Sequence, residues 1–429
     1  MPRILIENGR VIDPSQALDR VTNLLIEDGV IVGYDAAKRG DETTIDASGK
    51  IVAPGLIDMH VHLREPGNEQ DETIETGTAA AVAGGFTSIA CMPNTVPPID
   101  TQAAVEFVQR QAERADNCNV YVVGCVSKNR EGEELAELGQ LVRAGAVAFS
   151  DDGSPVYDAE LMRRALEYCL MFDKPILNHA EALELTRDGV MHEGLVSLLL
   201  GLPGLPAEAE DVMTGRDIVL AEATGGRVHM LHVSTSGSVD LVRRAKSRGA
   251  PVTAEVCTHH FTLTDQCLRS FDSNYKMKPP LRGPSHIEAC IAGLVDGTID
   301  VIVTDHAPHA AEKKMRELDQ TPFGIIGLET SLGLVATELV AAGHLDWPTA
   351  LAKMTINPAR ILGIDKGTLA VGADADVTVI DPELEWQVRR DDLRSKSHNT
   401  PFLGRKLKGR ATCVLVGGKI KLQLEAAPV

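Results

Sequence analysis

His60 and His62 stand two residues apart in Ile57-Asp58-Met59-His60-Val61-His62-Leu63-Arg64-Glu65-Pro66-Gly67, an apolar run that stops at Pro-Gly. Side chains two residues apart on a β-strand point the same way, so both imidazoles can meet one metal ion. Arg64 follows on the same face, where a guanidinium suits a substrate carboxylate better than it suits packing. A His-x-His pair alone is a weak signal, and further ligands must come from elsewhere. Asp152 in Phe149-Ser150-Asp151-Asp152-Gly153, His179 in Asn178-His179-Ala180-Glu181, His232 in His229-Met230-Leu231-His232 and Asp305 in Thr304-Asp305-His306 each close an apolar run. Four imidazoles and two carboxylates suit zinc, which takes N and O ligands and keeps a position open in catalytic sites. Six ligands are too many for one tetrahedral ion and about right for two ions sharing a carboxylate and a hydroxide. The chemistry expected is two-metal hydrolysis. Zinc lowers the pKa of bound water to about 7, so a zinc-bound hydroxide would attack an amide or imide carbonyl near neutral pH. Asp305, the last carboxylate of the set, is the candidate to take the proton during attack and deliver it to the leaving nitrogen.

Each residue also has a plainer reading. Taken singly, His179 and His232 read as buried, hydrogen-bonded histidines, and Asp151-Asp152-Gly153 as an Asx turn after a strand. Only the coincidence of six such residues on run ends outweighs those readings. His259 and His260, in Cys257-Thr258-His259-His260-Phe261, are read as structural because six ligands are already assigned. His192, His286, His344 and His398 fall in helical or loop contexts and receive no role.

These residues need a scaffold that gathers strand ends. From about residue 54 to 365, short apolar runs alternate with amphipathic helical stretches, and eight runs can be counted: 51–62, 87–94, 119–127, 146–152, 175–181, 227–234, 251–257 and 300–306. The alternation fits either a (β/α)8 barrel or an open doubly wound sheet. The polar residues at the run ends decide for the barrel, because its strand C-termini converge on one mouth. An open sheet would spread them along an edge at roughly 4.8 Å per strand.

Both ends of the chain differ from this middle. Short β signals with Gly-containing turns occupy residues 3–52 and return at Asp376-Val377-Thr378-Val379-Ile380-Asp381 and Val414-Leu415-Val416-Gly417-Gly418-Lys419. The expected organisation is a composite β-sandwich domain from residues 1–53 and 366–429 around a barrel at 54–365. A chain of 429 residues, 44% hydrophobic and 24% charged, can bury a core of that size. The formal net charge of −19, without any Lys/Arg-rich block, argues against nucleic acid as a partner. No apolar run reaches the roughly 18 residues a membrane span needs, and no signal peptide is evident, so a cytoplasmic protein is expected. The eight cysteines are scattered without a Cys-x-x-Cys pair and read as reduced core residues.

With the residues laid out, the chain resembles the amidohydrolase superfamily and, within it, the class I dihydroorotases. The resemblance is carried by Pro54 to Gly67, Ala90-Cys91-Met92-Pro93-Asn94-Thr95, Phe149 to Gly153, Asn178 to Glu181, Leu231-His232-Val233-Ser234, Thr304-Asp305-His306-Ala307-Pro308-His309, Pro322 to Thr330, Asn357 to Gly363 and Lys396 to Phe402. It spans nearly the whole chain. It implies a (β/α)8 TIM barrel that interconverts N-carbamoyl-L-aspartate and L-dihydroorotate in pyrimidine synthesis. His60, His62 and Asp305 would hold one zinc, His179 and His232 the other, and Asp152 would bridge them. Arg64 and Asn94 would grip the substrate carboxylate, with His309 and the Phe323-Gly324 backbone completing the pocket beside His62. Partners implied are the small-molecule substrate, a second copy as a homodimer, and aspartate carbamoyltransferase. Hydantoinases and allantoinases resemble the same barrel but bridge their metals with a carboxylated lysine at the end of the fourth strand, where this chain has Ala148-Phe149-Ser150-Asp151-Asp152. A catalytically silent homologue would lack ligands that this chain retains. One departure stands out: Lys276-Met277-Lys278-Pro279-Pro280-Leu281-Arg282 carries Lys278 where the family usually has Asn. Lys278 either enters the substrate pocket as an added cation or turns its stem away. Repulsion by two metal ions favours the second arrangement.

Overall fold

The structure, a computed structural model, describes residues 3–40 and 42–424. Eight parallel strands form the barrel: β1 (Leu56–Val61), β2 (Phe86–Cys91), β3 (Asn119–Gly124), β4 (Ala146–Phe149), β5 (Ile176–Asn178), β6 (Val228–Met230), β7 (Val252–Cys257) and β8 (Val301–Val303). Each pairs with its neighbour in chain order. Closure comes from just past the ends of β1 and β8, where the His62 N–H donates to the His306 carbonyl at 2.8 Å. The expected barrel is therefore the observed one.

The helices between strands begin where side-chain oxygens can take up orphan backbone N–H groups. Thr73 caps Ile74–Gly84, Thr101 caps Gln102–Ala115, Asp158 caps Ala159–Cys169 and Thr235 caps Ser236–Ser247. Their apolar faces pack on the outside of the barrel in the largest core cluster, with Val105, Leu161, Leu166 and Val242 among its members. A separate buried cluster takes Met59, Ala90, Val123, Ala148, Leu177 and Val303 from six of the strands.

A second sheet of eight strands unites the two ends of the chain. Arg3–Asp13 lies centrally, and Ile51–Pro54 pairs antiparallel with Val377–Gln387, setting Val52 opposite Val379. The sheet encloses its own core, which includes Ile6, Leu24, Ile45, Val377 and Leu415. The run at 51–62 is thus two strands, not one: its first part belongs to this sheet and its second to the barrel. Gly55 makes the break, because a Cβ there would lie 1.9 Å from Thr87 Oγ1. Only glycine lets the two backbones approach that closely.

The other strands are shorter than the apolar runs that predicted them, because the polar residues at the run ends fall in the loops just beyond. Beyond the sheet, the segment around residues 394–402 returns to the barrel mouth. Asn399 Nδ2 donates to the carbonyls of Ala307 and Gly324, both at 3.1 Å. All eight cysteines are free, and all but Cys267 are buried, in keeping with core residues. No helix among the described residues is long and apolar enough to cross a membrane.

Candidate functional site

Every predicted site residue except His60 lines one cavity of about 260 Å³ at the barrel mouth, and His60 lies fully buried against it. The six ligands arrive from five strand ends. His60 stands on β1 and His62 one residue past it; Asp152, His179 and His232 follow β4, β5 and β6; Asp305 follows β8. Arg64, His232 and Asp305 adopt left-handed backbone conformations, with φ of +61°, +33° and +47°. Such conformations cost about 1–3 kcal/mol each in non-glycine residues and cluster where function holds them.

Outer partners set the orientation of three of the four imidazoles. His60 Nδ1–H donates to Glu255 Oε1 at 2.5 Å, His62 Nδ1–H to Asn94 Oδ1 at 2.8 Å, and His179 Nε2–H to Glu181 Oε2 at 3.1 Å. The opposite nitrogen of each ring is then a lone pair, and all three point inward. His60 Nε2 and His62 Nε2 stand 3.6 and 3.4 Å from Asp152 Oδ2, while His179 Nδ1 and His232 Nε2 stand 3.6 and 3.5 Å from Asp152 Oδ1. The two oxygens of one carboxylate thus face two separate histidine pairs. Asp305 Oδ1 joins the first pair, 3.0 Å from His62 Nε2 and 3.6 Å from His60 Nε2. His60 Nε2 and Asp152 Oδ1 are buried without a hydrogen-bond partner among the described residues. Orphaned lone pairs converging this way are what a metal ion satisfies. His60, His62 and Asp305, and separately His60, Asp152 and His232, each bring ligand atoms within 4.8 Å of one another.

Glu255 had no role in the sequence reading, yet it organises the centre. Beyond His60, its carboxylate accepts His229 Nε2–H at 3.0 Å and the His232 backbone N–H at 3.1 Å. Burial pushes the carboxyl up, but His60 and His229 hold it down at about 2, so it stays ionised. The signal was available: a glutamate inside Val252-Thr253-Ala254-Glu255-Val256-Cys257 is a charge in a buried strand, and such charges are paired.

The opposite wall is polar and cationic. Arg64 Nε donates to the Pro308 carbonyl at 3.1 Å and Nη2 lies 3.4 Å from His309 Nε2, with the guanidinium lining the cavity. With Oδ1 engaged by His62, Asn94 keeps its NH2 group as a donor. His309 Nε2–H donates to the Phe323 carbonyl at 2.7 Å; burial, with Arg64 beside it, pushes this histidine down to about 2 and keeps it neutral. Gly324 has φ +121°, and a Cβ there would meet Ala307 Cβ at 2.6 Å. Lys278 enters the pocket, contrary to the arrangement favoured by repulsion alone. Its Nζ forms an ion pair with Glu181 Oε1 at 2.8 Å and lies 5.5 Å from the centre of the Phe323 ring. The repulsion argument overlooked Glu181, whose charge neutralises the added cation.

The amidohydrolase family profile matches residues 51–421. The chain is similar to a dihydroorotase of Pelotomaculum thermopropionicum, 55% identical over 98% of this chain and 99% of the relative. It is 52% identical to a dihydroorotase of a Geobacter species over 98% and 99% of the two chains. Among solved structures, L-hydantoinase from Arthrobacter aurescens superposes with a TM-score of 0.89 at 26% identity, covering 100% of this chain and 98% of that one. A D-hydantoinase from a Thermus species gives 0.82 at 27% identity over 98% and 95%.

Proposed function

We infer that this chain, which belongs to the amidohydrolase family, is a dihydroorotase that interconverts L-dihydroorotate and N-carbamoyl-L-aspartate. The observation that carries the reading is the cationic wall of Arg64 and Lys278 facing a floor of histidines and carboxylates. Dihydroorotate carries a carboxylate beside its cyclic amide, and hydantoin does not. Identity of 55% to a dihydroorotase, against 26–27% to hydantoinases, points the same way.

The donor set fits two zinc ions, with His60, His62 and Asp305 on one side, His179 and His232 on the other, and the oxygens of Asp152 divided between them. When bound, the ions supply Lewis acidity, which polarises the ring carbonyl and makes a water acidic enough to act as hydroxide near neutral pH. The remaining work belongs to the side chains. Arg64 Nη1 and Nη2 and the Asn94 NH2 hold the substrate carboxylate, which fixes the ring carbonyl over the floor. In ring opening, the attacking water forms the new C–O bond and the ring C–N bond breaks. Asp305 takes one proton from the water and delivers it to the leaving nitrogen, which returns Asp305 to its starting state; the second proton of the water stays with the new carboxyl group and passes to solvent as that group ionises. In ring closure the same groups act in reverse.

Steady-state assays of the purified protein with dihydroorotate, hydantoin and allantoin test the assignment: kcat/KM is expected to be highest for dihydroorotate, and equal or better turnover of hydantoin overturns it. For Arg64→Lys, which keeps the charge but loses the fork, kcat/KM should fall about tenfold, near the 1.5 kcal/mol of one charge-assisted hydrogen bond. The metal content of that variant should stay at the wild-type level; unchanged kinetics would place the carboxylate site elsewhere. Lys278→Ala should raise KM for dihydroorotate severalfold with kcat little changed, because the cation faces the substrate without touching the reacting bond. A KM equal to wild type would limit Lys278 to pairing with Glu181.

A further inference from the structure

Strand β7 runs into one tight turn, Thr258–His260, which folds the side chains of Cys257, His259 and His260 toward one another. One ligand-type atom from each lies within 4.8 Å of the other two, and all three residues are at least 97% buried. His260 Nε2–H donates to the Pro279 carbonyl at 2.9 Å, which makes Nδ1 the lone-pair nitrogen of that ring. That Nδ1 and both ring nitrogens of His259 are buried without a hydrogen-bond partner among the described residues. A buried polar atom left unmet costs about 1–3 kcal/mol. Three of them on two adjacent rings, with one ligand atom of each ring close to a thiol, are therefore a feature that core packing does not explain. Burial also holds both rings below the ordinary histidine range, so they sit as neutral bases with lone pairs to offer.

We propose that Cys257, His259 and His260 form a further metal site, for a zinc-class ion, next to the histidine and carboxylate centre and sharing no ligand with it. A thiolate and two imidazoles are the donors that zinc and its borderline-soft relatives select, whereas magnesium and calcium need oxygen. Binding forms a metal–sulfur bond and releases the Cys257 thiol proton to solvent, so the site enters with one negative charge to offset the cation. The ion would take one nitrogen from each ring and tie the end of β7 to the turn that follows it.

None of the six ligands at the main centre is a cysteine, so sulfur ligation reports on the new site alone. The full chain is stripped of metal by a chelator, reloaded with excess zinc and freed of unbound ion. Zinc X-ray absorption should then show a sulfur scatterer at about 2.3 Å, and metal analysis should give three zinc ions per chain. Reloading with cobalt(II) should produce a thiolate-to-cobalt charge-transfer band in the near ultraviolet. Cys257→Ser and His259→Ala should abolish the band, while Cys125→Ser, at a buried cysteine outside the cluster, should keep it. The wild-type absorption measurement stands even if a variant fails to fold. Absence of any sulfur scatterer in the fully loaded wild type, or a cobalt band that survives Cys257→Ser, overturns the proposal. Neither readout depends on which cyclic amide the enzyme hydrolyses.

Discussion

Asp305→Asn is expected to lower kcat for dihydroorotate ring opening by about 10²–10⁴-fold, the range for a lost general acid/base. The substitution is nearly isosteric, and Asn tolerates the left-handed backbone at this position, where φ is +47°, as readily as Asp does. The amide oxygen can still face His62 Nε2, which lies 3.0 Å from Asp305 Oδ1 in the native protein. What asparagine cannot do is accept the proton from the attacking water and return it to the ring nitrogen. Although burial pushes the other way, His62 and His60 hold the Asp305 carboxyl well below the ordinary range, so it stands ready as a base. The loss should fall on kcat with KM little changed, because the carboxylate grip at Arg64 is intact. Single-turnover ring opening checks this with the metal content measured alongside. A near-wild-type rate at full metal loading would remove Asp305 from proton transfer.

The parts of this site legible in the sequence were those whose chemistry contradicts their surroundings. A histidine or aspartate closing an apolar run costs burial energy unless something repays it. Six such residues at five run ends, together with the count of eight runs, were enough to define both the barrel and the convergence of His60, His62, Asp152, His179, His232 and Asp305. Three features were not legible, each for a physical reason. The break at Gly55 depends on Thr87 from the next strand pressing against it, a tertiary contact that no local pattern encodes. The inward turn of Lys278 depends on Glu181, which lies nearly a hundred residues away along the chain and was noted only as a neighbour of His179. Glu255 was passed over because it sits mid-run rather than at a run end, and its three partners come from β1, β6 and the loop after β6. In each case the deciding partner lies on a different element, so register and packing had to be known first.

Glu255→Leu carries the second large effect. Leucine fills most of the space but leaves His60 Nδ1–H, His229 and the His232 backbone N–H without their common acceptor. The His60 ring is then free to rotate or to change tautomer, and Nε2 no longer has to present a lone pair to Asp152 and Asp305. Partners of this outer kind typically contribute 10–100-fold to metal affinity or activity, and one that serves three groups at once belongs at the upper end. Ring opening at fixed metal concentration should therefore fall by about 100-fold, with metal per chain reduced and partial recovery on adding excess zinc. Glu255→Gln separates orientation from charge. Its amide oxygen can keep the contacts to His60 and the His232 N–H, and its NH2 can donate to His229 Nε2 if that ring moves its proton to Nδ1, 2.8 Å from Thr253 Oγ1. The glutamine variant should accordingly retain its metal and lose only about tenfold in rate, the lower end of the range. Measuring metal content and kcat for both variants decides the matter. If leucine binds metal and turns over like wild type, Glu255 is a packing residue; if glutamine fails as badly as leucine, the charge itself, and not the orientation of His60, is what the centre requires.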